Sequence, residues 1–383
     1  MVEKRLGGRI PDSRVATLSR ILVIKLAGIG DLLTAYPALE ALRRRFANAE
    51  ISALVTPQTE LLIRRSGLVD EVAVLDKYRF DDPRSFLRPG ALLDLVRLGT
   101  LLRRRRFDAA VLLHHLVTGA GVAKYAMLMA ASGARLRVGL DDGRGWFLNL
   151  KGTDLGFGAM HEVEYWLDVV GLLGAVHHAT TVHISWGAEE ESYADSWWAR
   201  AGSAPGTPVV AIHPGSGDYS HARRWLPEGF AEVARGLHAD GLLPMIVAGP
   251  GEEGLASEVA GLAGVPSLLL TGTPSPLHLA AVLARCRLFI GNDSGVMHVA
   301  FASGLPVVAV FGLSNHRAWG PYDPEGRRSR VVRVDLPCSP CFYRGHTMGL
   351  RYGCGDLKCI KAISPEMVLS SARELLSATE KER

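Results

Sequence analysis

The sequence is poor in the features that mark several protein classes. Cysteine is scarce, five in 383 residues, and four of the five fall between Cys338 and Cys359 as a local cluster, which excludes a chain-wide disulfide framework. Aromatic residues make up 7% and charged residues 21%, against 48% hydrophobic; that leaves enough apolar material for packed cores and too little charge excess for a disordered chain. Long apolar runs are missing too. The stretch 109–131 is broken by His114, His115 and Lys124, and 296–313 by His298 and the turn at 304–306, so neither supplies the run of about 20 residues that spans a membrane. Residues 1–20 lack the apolar centre of a secretory signal, and the expected location is cytoplasmic, with surface association open. The net charge is only +4, and nucleic acid is not an expected partner. The surplus sits in the first half, with 25 Lys+Arg against 21 Asp+Glu in residues 1–190 and 18 against 18 afterwards. An anionic partner for the first domain fits this, and so does an ordinary solvated surface.

At roughly 100–200 residues per domain, the length predicts two domains. Short apolar runs at 21–26, 51–55, 72–75, 109–113 and 136–138 read as strands with helical patterns between them, and a second series follows at 209–213, 243–247, 268–270, 288–290, 307–311 and 331–334. Continuous apolar strands of this kind belong in parallel sheets covered on both faces. The segment 186–208 carries an acidic run and a Gly/Pro-rich end and reads as a linker. The expected organisation is an arm at 1–20, a Rossmann-like domain at 21–185, the linker, and a second Rossmann-like domain at 209–383 that holds the Cys-rich segment 338–359. Doubly wound sheets bind ligands beyond the carboxyl ends of their strands, so a shared central cleft is the expected site.

The first strand runs into Ala27-Gly28-Ile29-Gly30-Asp31. Gly28 and Gly30 allow a tight turn and close approach to a ligand, but Leu33 stands where a dinucleotide fingerprint needs its third glycine, which disfavours a nicotinamide site. Asp31 sits at a helix start, where it serves either as a cap or as a general base for a hydroxyl nucleophile. In the second series, His213-Pro-Gly-Ser216-Gly is followed by Arg223 and Arg224, a pattern able to surround a phosphate with backbone donors and guanidinium groups. Glu252 and Glu253 follow another Gly-rich strand end, suited to ribose hydroxyls or to capping. Gly291-Asn-Asp293-Ser294-Gly295-Val296-Met-His298 stops a strand and starts a helix, whose first amides favour an anion such as pyrophosphate. Asp293 reads there as a possible N-cap, and His298 alone reads as a structural histidine. Cys338-x2-Cys341-x12-Cys354-x4-Cys359 has spacing compatible with zinc or an iron–sulfur cluster; a redox-labile disulfide and free thiols are the other readings, and Cys286 reads as a core residue.

Taken together, the Gly-x-Gly-Asp helix start, His213-Pro-Gly-Ser with Arg-Arg-Trp225, Gly291-Asn-Asp-Ser-Gly-Val-Met-His298, and Phe311-Gly with Trp319-Gly-Pro-Tyr322 resemble glycosyltransferase family 9, the bacterial lipopolysaccharide heptosyltransferases. The resemblance runs from residue 21 to 368 in the same order. It implies a GT-B fold of two Rossmann-like domains, an ADP-sugar donor held by the second domain, and a lipopolysaccharide-core or related glycolipid acceptor on the first. It further implies inverting transfer without a catalytic metal, Asp31 as base, and Arg223 with the Asp293-Ser294-Gly295 turn at the donor phosphates. Arg223 stands where the family often has lysine. Gly28, Gly30, Ser216, Arg224, Glu252, Val296 and His298 complete the expected donor site, and any metal at the four cysteines would be structural. A nucleotide-sugar epimerase and a non-catalytic nucleotide-sugar-binding subunit are the alternatives. Peripheral association with the inner face of the cytoplasmic membrane is expected through Arg43, Arg44, Arg45, Arg64, Arg65, Arg103, Arg104, Arg105 and Arg106. The donor sugar, the nucleotide base, the acceptor and the oligomeric state are not legible.

Overall fold

A computed structural model describes residues 18–77, 89–176, 181–204 and 206–381; the expected N-terminal arm lies, up to residue 17, outside the described residues. The chain divides into two compact units, Met1–Leu155 with Glu162–Ala179, and Gly156–His161 with Thr180–Arg383.

Unit one holds β1 (Arg20–Lys25), β2 (Glu50–Val55), β3 (Glu71–Val74), β4 (Ala109–Leu112), β5 (Leu136–Asp141) and β6 (Leu150–Thr153), all parallel, in the order β3-β2-β1-β4-β5-β6. Unit two holds β7 (Val209–His213), β8 (Leu243–Ala248), β9 (Leu268–Thr271), β10 (Leu288–Asn292), β11 (Val307–Val310) and β12 (Ser329–Val332), parallel and ordered β12-β11-β10-β7-β8-β9. Counted within each unit, both orders are the 3-2-1-4-5-6 of the dinucleotide-binding fold. The expected GT-B class of two Rossmann-like units is therefore the observed one. A hairpin of β13 (Phe342–Arg344) and β14 (Thr347–Gly349) follows.

The central strands are buried on both faces, as β1, β4, β7 and β10 show residue by residue, and their runs of Ile, Leu, Val and Ala are the reason. Each fully buried Leu, Ile or Val contributes roughly 1.5–3 kcal/mol. Helix Tyr36–Arg45 covers unit one with Tyr36, Leu39 and Leu42, begins on Pro37 and ends on Arg43, Arg44 and Arg45, where cations complement its dipole.

Two boundaries differ from the expected ones. Residues 156–161 count with unit two because Phe157 N donates to Gly345 O (2.8 Å) and His161 Nε2 donates to Gly320 O (2.9 Å). The segment expected to link the domains forms helix Ala188–Ala201, which ends at Gly202 with φ +72°. It packs within unit two: Arg285 pairs with Glu191 (2.6 Å) and Asp195 (2.7 Å), and Trp198 Nε1 donates to Val282 O (3.3 Å).

Candidate functional site

In unit one the strand order reverses between β1 and β4, so a ligand position lies beyond the carboxyl ends of those two strands. Asp31 is there, in helix Ile29–Leu33. It is the third residue of that helix and not its N-cap; Gly28 holds the cap position, and Asp31 Oδ2 accepts from Gly28 N at 3.3 Å. Gly28 has φ −76°, and neither it nor Gly30 is left-handed, so no special backbone conformation calls for glycine at either place.

Beside Asp31 the fold assembles a group that no local motif signals. β1 ends in Lys25, 2% exposed, with its Nζ 4.0 Å from the centroid of the Trp166 ring. Burial lowers its pKa, opposed by the charges of Asp31 and Glu162. β4 continues into His114 and His115. His115 places Nδ1 2.8 Å from Asp154 Oδ2 and Nε2 3.0 Å from Glu162 Oε1, all three side chains buried. Carboxylates only accept, so both ring nitrogens donate and the ring is an imidazolium. Burial would depress its pKa, but the Glu162 charge and the two hydrogen bonds outweigh burial and raise it to about 9. His114 goes the other way, held well below its usual value by burial and by Lys25, Lys77, His115 and Lys124. Lys77 Nζ donates to Leu26 O at 3.0 Å.

In unit two the order reverses between β7 and β10, and the residues singled out in the sequence converge there. Asp293 follows β10, and Ser294 is the N-cap of helix Gly295–Ala302, its Oγ accepting from Met297 N at 3.2 Å. The cap is thus Ser294, and Asp293 is free to meet Arg223 Nη1, 3.3 Å from its Oδ2. Arg223 Nη2 also donates to Ser216 O at 2.9 Å. Ser216 Oγ donates to Ser220 O at 2.9 Å and is taken up by the loop itself. The first-turn amides of Gly295 and Val296, two partly exposed residues, precede the first helical bond, His298 N to Ser294 O.

Glu252 accepts from Ser216 N, Gly217 N and Arg224 Nη2, each 2.9 Å from Oε1, and its Oε2 lies 3.0 Å from His213 Nε2. Burial would raise its pKa; the His213 hydrogen bond and charge and the two amides hold it far below the usual carboxylate range. His298 is buried inside its helix. Nearby His161 is pushed down to about 4 by burial, with the Gly320 carbonyl opposing and His298 adding repulsion. Two donors are left over: Arg223 Nε and Arg224 Nε are buried without a hydrogen-bond partner among the described residues. Gly28 and Gly30, expected with the donor-site residues, belong to unit one, while Ser216, Arg223, Arg224, Glu252, Asp293, Ser294, Gly295, Val296 and His298 belong to unit two.

The five cysteines are free thiols, Cys338 and Cys354 exposed, Cys286 and Cys359 buried. Burial first, then the other thiols of the cluster, raises Cys341 and Cys359. Among the described residues no three His, Cys, Asp or Glu side chains gather into a set that could hold a metal ion.

Twin parallel units, each with charged side chains gathered at its switch point, define the chain as an α/β protein of the GT-B class. The family model for glycosyltransferase family 9 (heptosyltransferase) matches residues 95–351, and the chain belongs to that family. Lipooligosaccharide heptosyltransferase 2 of Campylobacter jejuni is 28% identical over 174 residues, covering 45% of this chain. The match spans about half (52%) of that relative's length. A glycosyltransferase family 9 structure from Veillonella parvula aligns with TM-score 0.74 at 23% identity, covering 94% of this chain and 97% of that one. The ADP-heptose lipopolysaccharide heptosyltransferase II of E. coli aligns with TM-score 0.68 at 21% identity, covering 94% and 99%. Both structural likenesses show the fold.

Proposed function

We propose that this chain is an inverting glycosyltransferase that moves a sugar, heptose first among candidates, from an ADP-sugar to a lipopolysaccharide-core or related glycolipid acceptor. Asp31 takes the proton of the acceptor hydroxyl as that oxygen attacks the anomeric carbon from the face opposite the nucleotide. Arg223 and the amides of Ser294, Gly295 and Val296 stabilise the charge that gathers on the leaving diphosphate. In this reading the cationic and amide donors take the place of a metal ion at the diphosphate. The observation that carries the reading is the pair of buried, unpartnered guanidinium Nε–H groups on Arg223 and Arg224 beside the Asp293-Ser294-Gly295 turn, since a buried unsatisfied donor is costly and an anion supplies the acceptors. Family membership supports heptose, and the names of the E. coli and Campylobacter relatives support ADP-heptose and a lipooligosaccharide acceptor.

A thermal-shift screen of nucleoside diphosphates should single out ADP as stabilising. Asp31→Asn should then lower turnover by about 10²–10⁴-fold with ADP affinity unchanged; near-native turnover in that variant rejects the base assignment.

We extend the reading to the membrane. No helix among the described residues is long and apolar enough to span one, but helix Pro89–Arg105 exposes Leu93, Val96 and Leu101 together with Arg97, Arg103 and Arg104. A basic and apolar helix face of this kind suits an anionic lipid surface. On that helix Arg97 also lies 3.8 Å from Asp94, and further arginines of unit one are engaged elsewhere: Arg43 with Asp70 (2.6 Å), Arg64 with Glu60 (2.7 Å) and Arg105 with Glu50 (2.7 Å).

A further inference from the structure

Four donors reach Glu252, three at Oε1 and one at Oε2. They come from the end of β7 (His213), from the loop after it (Ser216 and Gly217) and from Arg224 beyond that loop. A carboxylate accepts only, so His213 Nε2 donates to it. The other ring nitrogen, Nδ1, lies 3.4 Å from Ser294 Oγ, the same oxygen that caps helix Gly295–Ala302. A continuous line Glu252–His213–Ser294 therefore runs from the loop after β8, across the end of β7, to the helix that starts after β10. Its members are 5%, 1% and 3% exposed. Asn292 adds a parallel brace, its Nδ2 donating to Pro214 O (2.7 Å) and Gly215 O (3.1 Å) while its Oδ1 accepts from Trp225 N (2.9 Å). The fit is tight enough that a β-carbon at Gly215 would overlap the Glu252 carboxylate.

We propose that Glu252, acting through His213, is a positioning residue that locks the 213–217 loop, Arg224 and the Ser294 cap into one diphosphate-binding frame without touching the ligand itself. This rests on the reading of unit two as the donor site and deepens it, because it takes Glu252 away from the ribose hydroxyls and gives a role to His213, which no expected site contained. A glutamine at 252 keeps the shape but brings an NH2 group against N–H donors, so the loop and the cap lose their common anchor.

Calorimetric titration of the full chain with ADP, 2′-deoxy-ADP, 3′-deoxy-ADP and adenosine tests the assignment. E252Q should weaken ADP and both deoxy analogues by the same factor, about 10–100-fold, and adenosine by less than 2-fold. H213Q should weaken ADP to a similar degree and add little to E252Q, the non-additivity expected of groups acting as one unit. E258Q removes an exposed carboxylate farther along helix Glu253–Ala263 and should leave every affinity as in the parent. If E252Q abolishes the discrimination between ADP and a deoxy analogue, Glu252 holds the ribose and the proposal is overturned. Hydrogen exchange without nucleotide reads the frame separately: E252Q should speed exchange both in 213–217 and in 294–297, and an effect confined to the first segment also overturns it. E252D, which keeps the charge at a shorter reach, serves both assays should the glutamine variant fail to fold. Failure of the parent chain to bind ADP rejects the donor reading, while the exchange experiment still judges the frame.

Discussion

The buried histidine of unit one makes stability depend on pH in a calculable way. His115 is 6% exposed between Asp154 and Glu162, and its pKa rises from 6.5 to about 9 on folding. At 1.36 kcal/mol per unit the ion cluster contributes about 3 kcal/mol. A folded pKa above the unfolded one means that the contribution is complete below about pH 6.5, declines as the pH rises, and is gone above 9. The expected slope is a loss of about 1.4 kcal/mol per pH unit over that window. Replacing His115 by Gln should remove the slope and cost about 3–5 kcal/mol at pH 6.5, because two buried carboxylates lose their cation. Lys25 acts with the opposite sign, since burial lowers its pKa and a buried ammonium ceases to be a burden once it is neutral; its relief grows toward pH 10.5 and flattens the upper end of the curve. Asp70, Asp108 and Asp141, all with lowered pKa values, act only in acid. Hydrogen exchange of helix Glu162–Gly171, measured from pH 6 to 9.5 after correction for intrinsic rates, isolates unit one from unit two. Equal pH slopes for the parent and H115Q would refute the clamp.

Arg223→Gln removes the group that joins Ser216 O to Asp293 and should weaken ADP about tenfold or more while lowering turnover further, as befits a donor that meets charge growing in the transition state; an unchanged ADP affinity counts against it. Under reducing conditions a maleimide should label Cys338 and Cys354 rapidly and Cys286 and Cys359 slowly, and elemental analysis of the same sample should find no stoichiometric zinc or iron; one equivalent of either with slow labelling throughout would reverse the reading of the cluster. Vesicle sedimentation should show binding to anionic lipid that weakens with salt and is reduced when Arg97, Arg103 and Arg104 are replaced by Gln; equal binding to neutral and anionic vesicles, or none to either, rejects membrane docking.

Eleven of the twelve strands in the two parallel sheets are legible as apolar runs: the eight interior ones because a strand covered on both faces must be apolar, and the edge strands β3, β9 and β12 because they still carry short runs of Val, Ala or Leu. The one of these that escapes is β6, Leu150-Lys-Gly-Thr153, an edge strand whose one apolar side chain, Leu150, is buried while Lys151 and Thr153 are exposed, so it has no apolar run to show. Helix Ala188–Ala201 is hidden for the opposite reason: its sequence is polar, only Glu190 and Ala194 are buried, and its docking depends on Arg285, some ninety residues away.

The two switch points differ in how far the sequence discloses them, and the difference lies in what each is built from. In unit two the partners stand on Gly-rich strand-end loops, so the sequence marks them even though their pairing is long-range: Glu252 is 39 residues from His213, and Asn292 is 78 from Pro214. The glycines are needed because the loops press against those side chains, as at Gly215, and the motif is the imprint of that packing. It follows that motif residues need not be ligand contacts. Ser216 and Glu252 bond within the frame, and what they leave for a diphosphate is backbone N–H groups and the unused faces of two guanidinium ions. In unit one the buried ions sit at ordinary strand ends: His115 meets Asp154 and Glu162 across 39 and 47 residues, and Lys25 meets Trp166, with no glycine to announce them. There the sequence shows only two histidines interrupting an apolar run. The cost of His115 in the core is met by carboxylates that three-dimensional proximity alone reveals, and for that reason the base candidate Asp31 is legible while the charged surroundings that bear on it are not.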